Sequence, residues 1–430
     1  MLPVTRRAET LATWKTRLAH PVARNAAVLY ATYFAKFLFP MATLPYLTRI
    51  LTVEKFGALA FAFVVCQYFV TFTDFGFNFS ATRTVAIHRQ DKTELAQIYI
   101  SVVVARMCML LASFVILVVL VFSIPQLRSD KAIVFFTFLN VCGTAMFPSW
   151  FYQGMEQMQY FMYRELSTRA LGLIGVFVVV RKPEDYVWVP LVQFGGFALI
   201  SLASLLTTPR AFGLRLTRVP FARVWEAVTD AWPIFLSTSS VMLYTNTDTF
   251  LLGLFSSQEA LGWFNAAQRL MFAGKGLVYP MVQVLYPRTS VQATQSRKAA
   301  VDFVDASARQ GSWIFGLVSA GMLLAGPIAV PLVYGAKYAP AVPYFLIMSP
   351  IPLLIYLSNC YATQYMLGLG YKKEWSHIIW TTAVANFIFL GVLVPFMSFS
   401  YAVSITSVLV EVVILAGSYR FFRKTRWNQG

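Results

Sequence analysis

Four basic side chains, Lys36, Arg106, Arg269 and Lys275, fall deep inside long apolar runs. At a helical rise of about 1.5 Å per residue, each lies in the middle half of a bilayer, where a charge costs at least about 2.5–3.5 kcal/mol and faces a cavity or a partner. Three acidic residues share that depth: Asp74, Asp248 and Glu411. Asp248 belongs to the polar run Tyr244-Thr245-Asn246-Thr247-Asp248-Thr249, and Asn246 there suits a wetted wall. Two chemistries are open to these groups. Asp74 or Asp248 pairs with Lys36 or Arg269 and fixes helix packing, or the set lines a hydrated cavity of net positive charge. Two well-placed aspartates do not neutralise four cations, so the set as a whole points to a cationic cavity and an anionic substrate.

Other chemistries find no residues to carry them. Cys66, Cys108, Cys142 and Cys360 sit in apolar runs without a CxxC pair, as buried small hydrophobes do. His20, His88 and His377 are far apart and have no metal-ligand spacing. The nearest string to a phosphate loop, Phe272–Gly276, lacks both its spacing and its hydroxyl, so nothing here hydrolyses ATP. No metal, cofactor or enzyme-like constellation is expected.

The elements that must position these charges are membrane helices. Apolar residues make up 58% of the 430 and charged residues 12%, against about 45–50% and 25% in a soluble domain. Runs of about 20 apolar residues begin near Asn25, Gly57, Leu95, Lys131, Phe161, Tyr186, Ala231, Leu261, Ala308, Val342, Trp375 and Tyr401. The fold expected is therefore all-α, a polytopic membrane protein of twelve transmembrane helices. Of the 35 Lys and Arg, 24 fall in the amino-terminal segment, alternate loops and the carboxyl tail, and seven on the other face. That bias puts both termini in the cytoplasm. The net charge of +17 is then topology signal and anionic-lipid contact, and a nucleic-acid partner is set aside. The first 24 residues do not read as a signal peptide, because the run that follows is too long and lacks a cleavage site. Leu11, Trp14, Leu18 and Val22 share one helical face, which leaves an interfacial helix and a frayed cytoplasmic tail both open.

The longest basic connection divides the chain evenly. The expected organisation is a cytoplasmic segment 1–24, an N-lobe 25–209, an inter-lobe loop 210–230, a C-lobe 231–419 and a basic tail 420–430. A shift of 205 residues lays Glu54-Lys55-Phe56-Gly57 over Glu259-Ala260-Leu261-Gly262, and Arg83 over Arg288. Two parallel six-helix repeats around a central cavity are a common transporter plan.

The stretch Pro45–Gly57, followed by Gln67-Tyr68-Phe69 and Asp74-Phe75-Gly76-Phe77-Asn78-Phe79-Ser80-Ala81-Thr82-Arg83, resembles the amino-terminal region of Wzx-type O-antigen and exopolysaccharide flippases. These belong to the polysaccharide branch of the multidrug/oligosaccharidyl-lipid/polysaccharide exporter superfamily. The resemblance implies a bacterial inner-membrane protein that moves undecaprenyl-pyrophosphate-linked oligosaccharide from the cytoplasmic to the periplasmic leaflet by alternating access. It implies Lys36, Arg106, Arg269 and Lys275 as substrate-binding cations, and an ion gradient as the drive, with Asp74 and Asp248 as candidates to couple it. The partners implied are the bilayer, the lipid-linked cargo, and a polysaccharide polymerase with its chain-length machinery. Two other readings stay open. A drug or organic-cation antiporter of the superfamily would favour acidic cavity groups, and a membrane polymerase or ligase would need a larger outer loop than any here.

Overall fold

The computed structural model describes residues 42–427, apart from 216, 279–280, 283–284, 286–288, 290–291 and 293–295. Residues 11–22, most of the first expected span with Lys36, and Arg288 lie outside the described residues. Every regular element among those described is helical. In chain order they include α1 (Val53–Asp74), α2 (Phe77–Ile87), α3 (Lys92–Ser123), α4 (Lys131–Met146), α5 (Ser149–Gly154), α6 (Met158–Val179) and α7 (Trp188–Ala211). There follow α8 (Phe221–Phe255), α9 (Gln258–Gly276), α10 (Arg297–Tyr334), α11 (Val342–Met348), α12 (Ile351–Ser358), α13 (Lys372–Leu393) and α14 (Phe399–Trp427). A nine-residue π-helix, Asn359–Leu367, prolongs α12.

Eight segments are long and apolar enough to cross a membrane, and they coincide with eight of the twelve expected spans. One further span falls largely outside the described residues. The other three are α6, α8 and α9, helices of sufficient length that fall short on apolarity. They carry Arg164, Glu165 and Arg169, the run around Asp248, and Arg269 with Lys275. Large apolar side chains such as Leu324, Leu332 and Phe387 stand exposed along the spans, as lipid-facing positions do. On α13 the buried face is reduced to Thr382, Asn386 and Leu390.

Local chemistry sets the element ends. Asp91 accepts from the Thr93 and Glu94 amides at the start of α3, and Ser257 caps α9 through the Ala260 amide. The second span is broken after Asp74, where Phe75 and Gly76 take φ of 48° and 82°. Glycine is required at the second of these, since a Cβ there would press on Ile234 and the Ala231 carbonyl. The fourth span breaks at Phe147-Pro148, proline having no amide to continue the ladder. The inter-lobe connection is shorter than the sequence suggests: α7 runs to Ala211 and α8 begins at Phe221. Residues 221–230, read as loop from their charges, are the first turns of a 35-residue helix.

The chain forms two compact units, Met1–Leu51 with Ala62–Asn246, and Thr52–Phe61 with Thr247–Gly430. The first has an aromatic core in which Phe75, Phe77, Tyr99, Trp150 and Phe151 are buried. In the second, α1 crosses α9 at repeat-related glycines. A Cβ on Gly57 would strike the Gln258 carbonyl, and one on Gly262 would strike the Val53 carbonyl. Val53 and Gln258, like Gly57 and Gly262, are 205 residues apart, so the crossing is reciprocal about the shift that relates the two Glu-x-x-Gly motifs.

Candidate functional site

Among the described residues of the first unit, the deep charges Arg106 and Asp74 are paired with each other. Arg106 is 1% exposed and its Nη2 lies 2.8 Å from Asp74 Oδ1. Its Nε donates to the Thr73 carbonyl at 3.4 Å and its Nη1 to the Phe147 carbonyl at 3.3 Å. Those carbonyls belong to the two broken spans, where an interrupted ladder leaves acceptors without helical partners in lipid. One guanidinium thus ties both breaks to α3 and pairs with the carboxylate beside one of them. Asp74 also accepts from the Gly76 amide. Lys36 and Arg269 were the partners anticipated for Asp74; its partner is Arg106, held from a third span.

A second paired cluster went unrecognised in the sequence. Arg164 and Arg169 read as loop charges near the start of the fifth span, yet Arg164 is only 9% exposed within α6. Its Nη2 donates to Glu165 Oε2 at 2.8 Å, and its guanidinium packs 3.7 Å from the centroid of the Phe147 ring, with Phe161 and Phe197 also in reach. Arg169, one turn on, completes the pairing through Glu165 Oε1 at 2.6 Å. The signal available was Glu165 set i, i+4 to Arg169 in otherwise apolar surroundings.

The second unit holds the charges without such partners. Arg269 on α9 lies 5.6 Å from the centroid of the Phe56 ring, within electrostatic reach of the buried Tyr334 and Tyr338 hydroxyls. Lys275 Nζ stands 5.7 Å from the Phe272 ring centroid. Among the described residues neither cation has a carboxylate partner. Tyr338 Oη is buried with no hydrogen-bond partner among the described residues. Asp248 is 8% exposed; its Oδ2 accepts from Ser407 Oγ at 2.8 Å, while its Oδ1 is buried without a partner there. Asn246, two residues earlier, is half-buried and donates to Thr245 Oγ1 at 2.9 Å. Around Asp248, Thr247 and Thr249 are buried, and Thr249 Oγ1 donates to Gln268 Oε1 of α9 at 3.4 Å.

The charges are therefore of two kinds. Arg106 and Arg164 each pair with a carboxylate and are buried, Arg106 against carbonyls and Arg164 against rings. Arg269, Lys275 and Asp248 lie on α8 and α9 and keep binding capacity in hand: two cations able to meet an anion, and one carboxylate able to meet a cation. Among the described residues no group of three His, Cys, Asp or Glu comes together to hold a metal ion.

Comparison with known proteins places this arrangement. The family described as "Polysaccharide biosynthesis protein" matches residues 22–292, more than half of the chain. Relatives from Escherichia coli (strain K12) and Shigella dysenteriae both bear the name "Putative O-antigen transporter". The first is 27% identical over 403 residues, covering 94% of this chain and 97% of its own. The second is 25% identical over 405 residues, covering 91% and 98%. Among solved structures, an inward-facing multidrug resistance MATE family transporter of the MOP superfamily superposes with a TM-score of 0.66 at 14% identity, covering 91% of this chain and 96% of that one. A eukaryotic MATE transporter gives 0.50 at 11% identity, covering 96% and 97%. These likenesses fix the fold as that of a polytopic helical membrane protein. The match across residues 22–292 takes in the Asp74–Arg83 string and both broken spans, and with it the chain belongs to the polysaccharide biosynthesis protein family.

Proposed function

We propose that the protein is a flippase for undecaprenyl-pyrophosphate-linked oligosaccharide repeat units of O-antigen or exopolysaccharide. It carries them from the cytoplasmic to the periplasmic leaflet of a bacterial inner membrane by alternating access, with both termini in the cytoplasm and an ion gradient as the drive. The observation that carries this reading is Arg269: a cation on a membrane helix, held over the Phe56 ring and without a carboxylate partner among the described residues. A guanidinium left uncompensated at that depth is costly unless an anionic ligand visits it, and its fork of donors suits a pyrophosphate oxygen pair. Lys275 on the same helix adds a second cation, and Lys36 is proposed as a third. The O-antigen transporter name borne by two relatives supports the class of cargo. Arg106 contributes to the site through architecture, since its donors are already engaged.

The test is complementation of a deletion strain. Arg269→Ala and Lys36→Ala are expected to abolish surface polysaccharide, with Lys36→Arg keeping part of it. Normal polysaccharide from both Ala variants at wild-type protein level would sink the assignment. Cells lacking the protein should accumulate finished lipid-linked units facing the cytoplasm, whereas single units in the periplasmic leaflet would indicate a polymerase.

A further inference from the structure

At one end of the first unit α2, α3 and α8 border a cleft of about 110 Å³. Each helix lines it with residues spaced i, i+3, i+4 and i+7, so the walls are regular helix faces. The first turns of α3 and α8 meet at its mouth, where Arg223 Nη1 donates to Glu94 Oε1 at 3.1 Å. Seven residues further along each helix, about 10 Å inward, stand Ser101 and Asp230. Gln97 and Glu226 lie between.

The charges in this cleft do not balance. Three carboxylates, Glu94, Glu226 and Asp230, face one guanidinium, Arg223, which pairs with Glu94 and reaches Glu226 only at 3.9 Å. Asp230 has no partner among the described residues. Ser101 is 4% exposed, yet its hydroxyl meets no hydrogen-bond partner among the described residues, and neither does the carboxamide of Gln97. A buried hydroxyl left open on a cleft calls for an explanation, and the excess of carboxylate supplies one: a cation completes the set. Its type is restricted. Among the described residues no three carboxylates come together to hold a metal ion, and 110 Å³ is well below the roughly 300–1,000 Å³ of drug-sized sites. A primary ammonium fits, because it has three donors and no acceptor to offer Asp230, Glu226 and the Ser101 oxygen. The apolar sides of Phe77, Ile98 and Ala227 suit a short methylene stem.

We infer that this cleft binds a primary ammonium group on a short alkyl stem, held by Asp230, Glu226 and Ser101. Two sources carry that chemistry, the ethanolamine headgroup of a phospholipid and a free aliphatic amine. Trp225 and Trp232 stand exposed on α8 beside this stretch, as aromatic anchors at the headgroup level of a membrane do. The site belongs to the first unit alone and draws on none of Lys36, Arg269 or Lys275. Binding there needs no lipid-linked cargo, so the inference stands or falls separately from the flippase reading.

The experiment uses the purified full-length chain in detergent. Thermal unfolding is followed against propylamine, with tetramethylammonium at matched ionic strength as the control, since a quaternary ammonium carries the charge but has no N–H to donate. From mixed micelles holding equal phosphatidylethanolamine and phosphatidylcholine, native mass spectrometry reads which lipid stays bound. A headgroup site predicts preferential retention of phosphatidylethanolamine. A site for free amine predicts a saturable rise in unfolding temperature of about 2 °C or more in propylamine alone. In either case Asp230→Asn is expected to weaken binding about tenfold or more, as loss of a hydrogen bond to a charged group does, and Ser101→Ala about threefold or more. Asp302→Asn, at an exposed carboxylate of α10, should change nothing. Ser101→Ala removes no hydrogen bond among the described residues, so it decides alone should Asp230→Asn fail to fold. Propylamine no better than tetramethylammonium together with no preference for phosphatidylethanolamine, or a response unchanged in both Asp230→Asn and Ser101→Ala, overturns the inference.

Discussion

Arg106 can be removed in two ways that separate an architectural cation from a substrate-binding one. Arg106→Leu strands the Asp74 carboxylate, and breaking a buried pair from one side costs about 3–5 kcal/mol. It also leaves the Thr73 carbonyl without that donor, at about 1 kcal/mol or more, whereas the Phe147 carbonyl keeps the Ser149 amide at 2.9 Å. Asp74→Leu strands the guanidinium instead and should cost about as much as the first loss. In the double variant both charges are gone and only the carbonyl loss remains, about 1 kcal/mol or more, so it should be more stable than either single variant. The coupling that a double-mutant cycle reads is then about 6 kcal/mol or more. Arg106→Lys keeps the charge, but a compact ammonium does not reproduce a planar fork bonded to three acceptors, and it should fall between wild type and Arg106→Leu. The assay is thermal unfolding in detergent by tryptophan fluorescence, beside surface polysaccharide in complemented cells. A double variant no better than the singles would refute the pairing. Full stability in Arg106→Leu together with lost polysaccharide would return Arg106 to the substrate-binding set.

Gly57→Val and Gly262→Val should each lower the unfolding temperature, since overpacking costs about 1–3 kcal/mol and here the added carbons meet backbone; Gly316→Ala, with nothing within 4 Å of its Cβ, is the control and should be neutral or stabilising. Equal behaviour of all three would show that the crossing of α1 and α9 is not tight. Arg164→Leu should destabilise more than Arg169→Leu, because only the former guanidinium is enclosed by Phe147, Phe161 and Phe197; denaturation of the purified variants measures the order, and a reversed order would mean that Glu165 draws its support mainly from Arg169.

The apolar spans were legible in the sequence because lipid imposes one composition over about 20 residues, and eight of them stand where the runs begin. The existence of deep charges was legible for the same reason. Their partners were not. Asp74 and Arg106 lie on different spans, and what joins them is the break at Phe75-Gly76, a backbone event carried by two positive φ angles. Charge counting likewise assigned Arg164 to a loop, since a residue near a span end looks the same whether it faces headgroups or three aromatic rings. The inter-lobe loop was overdrawn because the charges at Arg223, Glu226 and Asp230 resemble loop, whereas α8 carries them as its first turns, with Arg223 bonded to Glu94 at 3.1 Å.

Composition does carry one signal about partners, and it lies in the spans that fit lipid poorly. Helices α6, α8 and α9 fall short on apolarity, so each must turn charge or amide away from hydrocarbon. Helix α6 resolves this internally, through Glu165 and a cage of rings. Helices α8 and α9 do not: Asp248, Arg269 and Lys275 have no countercharge among the described residues. A span retained against its insertion cost, with its charges unneutralised by the fold, is the place where ligand charge completes the balance. Under the proposed function, that place is the cationic pair on α9, which an anionic headgroup completes. Neutralising Arg269 should therefore leave the protein folded and remove surface polysaccharide, whereas neutralising Arg106 should first of all unfold it.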